Sequence, residues 1–223
     1  DSVVADTLVV ACSGGADSLA LAAATTHVAA RRGWPVQGFV VDHGLQEGSG
    51  EVASRAGEQL AALGCDEVRV LRVEVGDRGG LEAAARRARY AVLEQERPES
   101  SLVLLGHTLD DQAETVLLGL GRGSGPRSIA GMSPLNPPWA RPLLGITRDT
   151  TSAACTELGL VPWNDPHNSD PRFTRARLRG EVLPLLDDVL QGGVRPALAR
   201  TARQVREDSE ALDELAGRTR LAA

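Results

Sequence analysis

Ser13-Gly14-Gly15-Ala16-Asp17-Ser18 stands between an apolar run, residues 8–11, and an alanine-rich segment that starts at Leu19. A short buried strand followed by a helix puts the glycines on a strand-to-helix turn. There, backbone N–H groups and a helix N-terminus converge on an anion. Gly14 and Gly15 let the backbone bend and approach a ligand without a Cβ in the way, and Ser13 and Ser18 add hydroxyl donors. Asp17 puts negative charge into what would otherwise be a phosphate cradle, which makes sense if it carries Mg²⁺ opposite the phosphates. A glycine turn with Ser or Asp as helix cap is the plainer alternative; six such residues directly after a buried strand argue against it.

A second cluster, His107, Asp110, Asp111 and Glu114, falls within eight residues. Asp111 and Glu114 share a helix face at i,i+3. Paired acids close to an anion site would repel a phosphate unless they bind a metal or a cation, such as an amine-bearing substrate. A capped, solvated helix beginning at Asp110 is the alternative. Asp42, His43 and Gly44 end an apolar run and could border a base or ribose, or form a surface turn. Arg86 and Arg89 lie at i,i+3 and could make a guanidinium fork for phosphate or carboxylate, or bridge to Glu82 on their own helix. Further on, Asp165, Asn168 and Asp170 sit beside Arg172, Arg175, Arg177 and Arg179, which could contact an RNA backbone or pair with those acids. Arg200, Arg203 and Arg206 recur as a second basic stripe.

These residues need elements to hold them. Apolar, β-rich runs at 7–11, 36–41, 67–75 and 101–106 alternate with helical stretches at 17–31, 50–63, 81–96 and 110–120. That alternation predicts βαβ units and a parallel sheet covered on both faces. Ligands in such sheets bind beyond the carboxyl ends of the strands, where the polar clusters fall. Residues 121–142 are dense in Gly, Pro and Ser and read as a long ordered loop. Helices are expected after it at 147–158, 173–189 and 195–215. The domain expectation is therefore an α/β domain over 1–130, a connecting loop over 131–145 and a helical region over 146–223.

Composition narrows the function classes. The 223 residues are 42% hydrophobic with a net charge of −6, which does not suggest a general nucleic-acid binder. All 24 basic residues are Arg, and without any Lys the chain cannot contain an intact Walker loop. Cys12, Cys65 and Cys155 form no C-x-x-C pair, which argues against a zinc ribbon and fits a reducing, cytoplasmic compartment. No apolar run reaches the length of a membrane span. Asp1 rather than Met opens the chain, so preceding sequence is expected.

Taken together, "SGGADS", "VDHGL", "EAAARRARY", "GHTLDDQAETVLLGLGRGSG", "AGM", "RPLL" and "WNDPHNSDPRFTRARLRGEVLPLL" resemble the tRNA(Ile)-lysidine synthetases, a family of N-type ATP pyrophosphatases, in the family's order from about residue 7 to 190. The resemblance implies a parallel, doubly wound α/β sheet of the adenine nucleotide alpha hydrolase-like kind, followed by a smaller helical region that assists tRNA binding. It also implies a two-step ligation. ATP with Mg²⁺ adenylates the C2 oxygen of the wobble cytidine in a CAU-anticodon tRNA(Ile) and releases pyrophosphate. Free L-lysine then displaces AMP to give lysidine.

By the same resemblance, ATP is bound by Ser13, Gly14, Gly15, Ala16, Asp17, Ser18, His43, Gly106 and His107, with Asp17 on the metal. Asp111 and Glu114 bind lysine. Asp17, Asp111, Glu114 and Arg86 are catalytic, and Arg122, Arg172, Arg175 and Arg179 contact tRNA. No membrane is implied, and a homodimer is admitted because dimerisation occurs in the family. Two rivals are a thiolating tRNA-modifying relative and a non-catalytic ATP- or tRNA-binding module. The chain departs from the family at Asp165-Pro166-His167-Asn168-Ser169-Asp170 and at Pro126–Ile129, both expected to bear on tRNA contacts. It leaves little room for the further C-terminal domains of longer members.

Overall fold

The computed structural model describes residues 5–46, 48–76, 80–123, 125–166 and 170–221. Among them, β1 (Thr7–Cys12), β2 (Val36–Asp42), β3 (Glu67–Arg72), β4 (Ser101–Leu105), β5 (Leu135–Asn136) and β6 (Trp139–Ala140) make one sheet in the order β3-β2-β1-β4-β6-β5. All neighbours pair in parallel except β5 and β6, which are antiparallel. The order reverses at β1, whose partners β2 and β4 are reached by connections on opposite sides. That switch point is where the glycine loop leaves the sheet.

Two cores divide the strand residues by alternation, as a period of two requires. Val10, Cys12, Val36 and Val40 face α1 (Ala16–Arg32), α2 (Ser49–Ala62) and α6 (Arg148–Glu157) through Leu19, Ala22, Leu60 and Cys155. Val9, Phe39, Leu71, Val103 and Leu105 form the other core with Leu93 and Tyr90 of α3 (Leu81–Glu96). Helices thus cover both faces of the parallel sheet. Alanine-rich α1 ends where Gly33 turns left-handed at φ 67° and returns its N–H to Ala29.

The chain divides into two compact units, and the division differs from the expected one. The sheet unit comprises Asp1–Gly106, Leu135–Leu143 and Arg148–Asn164; the helical unit comprises His107–Pro134, Leu144–Thr147 and Asp165–Ala223. The fourth predicted helix, α4 (Leu109–Gly121), belongs to the helical unit, whereas α6 belongs to the sheet unit. The segment expected to be a connecting loop contains β5 and β6, with Val103 and Leu104 in register with Trp139 and Ala140. Two-residue strands are too short to leave a periodic signal in sequence.

In the helical unit, α4 and α9 (Val194–Leu221) pack with α5 (Pro126–Ile129) and α8 (Leu183–Val189) around Ala113, Leu183 and Val194. The expected helix over 173–189 is not uniform. Between α7 (Thr174–Arg177) and α8, residues Leu178–Val182 widen into a π-helical stretch, with the N–H of Leu183 bonded to the carbonyl of Leu178. Gly180 and the missing N–H of Pro184 explain why the ordinary ladder yields here.

Gln112 of α4, 3% exposed, clamps the backbone of Met132 by donating to its carbonyl (2.9 Å) and accepting its N–H (2.8 Å). Both bonds are lost in Gln112→Ala. We expect urea unfolding to report a loss of about 1–2 kcal/mol, because the part-buried Met132 N–H loses its acceptor while the Met132 carbonyl keeps Arg206; an unchanged midpoint would refute the clamp.

Candidate active site

The loop after β1 closes on itself. The Ser18 hydroxyl donates to the Gly15 carbonyl (2.9 Å) and accepts from the Ser13 N–H (3.2 Å), with the Ser13 hydroxyl 3.3 Å away. Ser18 is therefore a buried brace of the loop, while Ser13 remains exposed. Gly14 has φ +81°, which only glycine adopts without strain. Its carbonyl accepts the backbone N–H of Trp163 at 2.8 Å, so a residue 149 positions later pins the turn. No side chain caps α1. Its first-turn N–H groups, including those of Ala16 and Asp17, keep the positive end of the helix dipole available to an anion.

Gly106 follows β4, and a Cβ built there would lie 3.1 Å from the Ser18 N and Cα and from the Asp17 carbonyl carbon. Glycine at 106 lets the end of β4 lie directly against the loop. Beneath the loop, the Cys12 thiol accepts the Gly14 N–H at 3.4 Å. Burial pushes the Cys12 and Cys155 thiols up, and Cys65 up to about 11, so none is a ready thiolate at neutral pH.

Asp17, expected to carry Mg²⁺, is held otherwise. Arg148 of α6 donates Nε to its Oδ2 at 3.1 Å, and the Thr151 hydroxyl bonds to Oδ1. Both carboxylate oxygens thus face donors and a fixed positive charge. Among the described residues no three His, Cys, Asp or Glu side chains converge as a metal cluster. This donor set does not fit a divalent cation at Asp17.

Burial would raise the pKa of Asp42, but hydrogen bonds from the Gly44 N–H (2.9 Å) and Ser49 and the charge of Arg72 outweigh it and hold its carboxyl below the usual range. Asp42 therefore shapes its own turn. His43 beside it is pushed down by burial and by Arg89, against the pull of Asp42, and stays neutral at pH 7. Its buried Nδ1 lacks a hydrogen-bond partner among the described residues, a place for a polar group of a ligand.

Arg86 is exposed. Its guanidinium lies 4.9 Å from the centre of the Tyr90 ring and donates to the Tyr90 hydroxyl at 3.2 Å. Arg89 (5.9 Å from the same ring) and the buried Arg141 (3.4 Å to the same hydroxyl) join it, and Trp139 packs edge-on against Tyr90 at 4.7 Å. Sequence reasoning foresaw the Arg86–Arg89 face but not Tyr90, Trp139 or Arg141.

In the helical unit, α4 starts with a capping box in which Thr108, not Asp110, is the N-cap. Oδ2 of Asp111 accepts the Thr108 N–H at 2.9 Å and its hydroxyl at 3.1 Å. Asp110 instead pairs with Arg195 at 2.9 Å. One turn on, Glu114 is fully buried against Arg179 Nε at 2.8 Å and Arg175 at 3.6 Å, and Arg179 lies 3.9 Å from Asp111. The two acids predicted to attract a cation do hold cations, supplied by the π-helical stretch and α7.

That leaves little of the predicted tRNA-binding set at liberty. Arg172 is bonded to Asp170, while Arg175 and Arg179 turn to α4. Arg122 is exposed at the C-cap of α4 and makes no ion pair among the described residues. In the second stripe, Arg203 lies 3.8 Å from Glu207, and Arg206 donates to the Ala130 and Met132 carbonyls. His107 begins the helical unit, directly after Gly106. His167 and Asn168 lie outside the described residues.

Comparison with known proteins agrees with this architecture. The family model described as the PP-loop domain matches residues 2–186. The chain is 64% identical over 207 residues to the tRNA(Ile)-lysidine synthase of Mycobacterium tuberculosis, covering 93% of this chain and 62% of that protein. It is 61% identical over 209 residues to the enzyme of the same name from Rhodococcus erythropolis, covering 94% and 63%. The chain thus spans about three fifths of the length of the curated relatives it matches. Among solved structures, the U34-tRNA thiolase NcsA from Methanococcus maripaludis, with its 4Fe–4S cluster, superimposes with a TM-score of 0.71 over 90% of this chain and 72% of that one. At 18% identity this likeness concerns the fold alone. With its glycine loop at the switch point of a parallel sheet and a family model matched over most of its length, the chain belongs to the PP-loop domain family.

Proposed function

We propose that this chain ligates free L-lysine to C2 of the wobble cytidine of a CAU-anticodon tRNA(Ile), using ATP. The observation that carries the reading is the 60–64% identity, over nearly the whole chain, to proteins named tRNA(Ile)-lysidine synthase. The acid pair on α4 is the candidate site for the lysine ammonium, which has to share or displace the guanidinium groups that the pair holds. The uncapped start of α1 supports an anion site for the triphosphate. The thiols, two of them buried and all three pushed up in pKa, speak against sulfur transfer.

In the first step the C2 oxygen attacks the α-phosphorus of ATP. The α–β bond breaks, and pyrophosphate leaves into the N–H groups of Gly15, Ala16 and Asp17. The neutral His43 and the end of β4 at Gly106 and His107 border the nucleotide. In the second step the ε-amine of lysine attacks C2, and AMP departs with the former C2 oxygen. Only the neutral amine is a nucleophile, so Asp111, beside Glu114, takes up the proton that the attacking nitrogen sheds. Arg86 offsets charge on the adenylate or on the lysine carboxylate. The helical unit assists tRNA binding, with the exposed Arg122 as its contact to the phosphate backbone. The setting is the cytoplasm, where lysine, ATP and tRNA meet.

The test is incorporation of labelled lysine into an unmodified CAU-anticodon tRNA(Ile) transcript, with ATP and Mg²⁺, beside a transcript carrying uridine at the wobble position. Label on the first alone is expected; label on neither, with no adenylated tRNA formed, would refute the reading. Within it, Gly106→Ala should weaken ATP binding about tenfold. The new methyl pushes the Ser18 backbone by a few tenths of an ångström, and misplacing a binding group on that scale is costly. Fold stability should fall by about 1–3 kcal/mol, because the crowded neighbours are backbone atoms. Wild-type ATP affinity in this variant would show that Gly106 does not set the loop.

A further inference from the structure

The only charged residue of the glycine loop is an acid, and its cation comes from 131 positions further along the chain. α6 presents Arg148, Thr151 and Cys155 at i,i+3,i+7, one continuous helix face. All three meet the first turn of α1: Arg148 and Thr151 at the two oxygens of Asp17, and the buried Cys155 thiol at the Ala16 carbonyl, 3.4 Å away. The docking holds Arg148 in place, yet its side chain stays 26% exposed and that of Asp17 20%, so a ligand can reach both.

The chemistry of the loop calls for such a group. Its N–H groups and the Ser13 hydroxyl donate hydrogen bonds but carry no full charge, and the chain has no Lys. A guanidinium has five N–H donors in one plane, and it can bridge a carboxylate on one edge and a phosphate on another. A metal ion at Asp17 would instead have to displace Arg148 and compete with Thr151.

We propose that Asp17 is a tether rather than a metal ligand, and that it holds Arg148 beside the loop so that the guanidinium contacts the β- and γ-phosphates of ATP and receives the departing pyrophosphate. This rests on the ATP reading given above. Arg148 is then a substrate-contacting residue, and Asp17 is a positioning residue that acts through it. Arg148, Thr151 and Cys155 of α6 thereby belong to the phosphate site.

The experiment compares the full chain with Asp17→Asn, Arg148→Lys, Arg148→Met and the Asp17→Asn/Arg148→Met double variant. Equilibrium binding of ATP and of AMP is measured with EDTA and across a Mg²⁺ titration. Arg148→Met is expected to weaken ATP binding about 10- to 100-fold, the effect of one charge-assisted contact to phosphate. AMP binding should stay within about twofold, since AMP lacks the β- and γ-phosphates. Arg148→Lys should recover only part of the loss, because it restores charge without the fork. Asp17→Asn should weaken ATP binding without changing the half-saturating Mg²⁺ concentration, and the double variant should be no worse than Arg148→Met.

Three results would overturn the proposal. If Asp17→Asn raises the Mg²⁺ requirement while Arg148→Met leaves ATP affinity intact, Asp17 is a metal ligand. If Arg148→Met weakens AMP and ATP binding equally, Arg148 only supports the fold. If the unaltered chain binds no ATP, the nucleotide reading itself fails and takes this inference with it.

Discussion

An Asp111→Asn chain is expected to keep adenylating tRNA(Ile) while its rate of lysine transfer falls about 100-fold or more. The substitution separates the capping role seen in the structure from the proposed role in lysine transfer. As the third residue of α4, Asp111 accepts the N–H and hydroxyl of Thr108, and Asn preserves the shape and an acceptor oxygen for that cap. What Asn cannot do is carry charge opposite an ammonium or take its proton. Removing one partner from a largely desolvated charge pair costs about 2–5 kcal/mol, and each 1.4 kcal/mol is a factor of ten. The side chain of Asp111 is 13% exposed, so little water is at hand to replace the lost charge. The measurement is a single-turnover assay that separates adenylated tRNA from lysidine-containing tRNA. Lysine transfer at the wild-type rate would leave Asp111 as a helix cap and nothing more. Equal loss of both steps would move its role to the nucleotide.

Glu114→Gln tests the neighbouring acid through stability. Removing the charge of a fully buried carboxylate between two guanidinium groups takes away their nearest counter-charge, and breaking such a pair costs about 3–5 kcal/mol, less here because Arg179 also lies 3.9 Å from Asp111. Arg179 and Arg175 are 29% and 32% exposed and recover part of their hydration. The expected loss is therefore about 2–3 kcal/mol, read from urea unfolding followed by circular dichroism. The same variant should also lose lysine transfer. If Gln leaves the unfolding midpoint unchanged, the buried ion pair is not holding α4 to the π-helical stretch. Arg179 and Arg175 also set the terms for lysine: an incoming ammonium meets acids that already hold guanidinium groups and must share or displace them.

The parts of this site that could be read from the sequence are those whose chemistry is local. A strand, two glycines and a helix start within a dozen residues, so the turn at Ser13–Ser18 was legible from residue types alone. So were the acids of α4, which share a face because the helix repeat brings i and i+3 together. The four long strands and the helices between them were legible for the same reason, since each carries its own apolar period. The strands at 135–136 and 139–140 were not, because two residues in a Pro-rich stretch have no period to show.

What supports the loop also escaped the sequence. Trp163 bonds to Gly14 through its backbone, which any residue type could do. Arg148 and Thr151 reach Asp17 across more than 130 residues, and a charged residue at the start of a helix gives no sign of its partner. The residue types near Asp165 and Asp170 left open whether the arginines contact RNA or pair with acids; the structure turns Arg175 and Arg179 inward to Glu114. Local periodicity and residue chemistry thus determined by themselves the α/β sheet, the glycine loop and the paired acids. Which charge meets which was decided only by the tertiary structure, because Coulomb attraction between side chains depends on distance in space and is indifferent to separation along the chain.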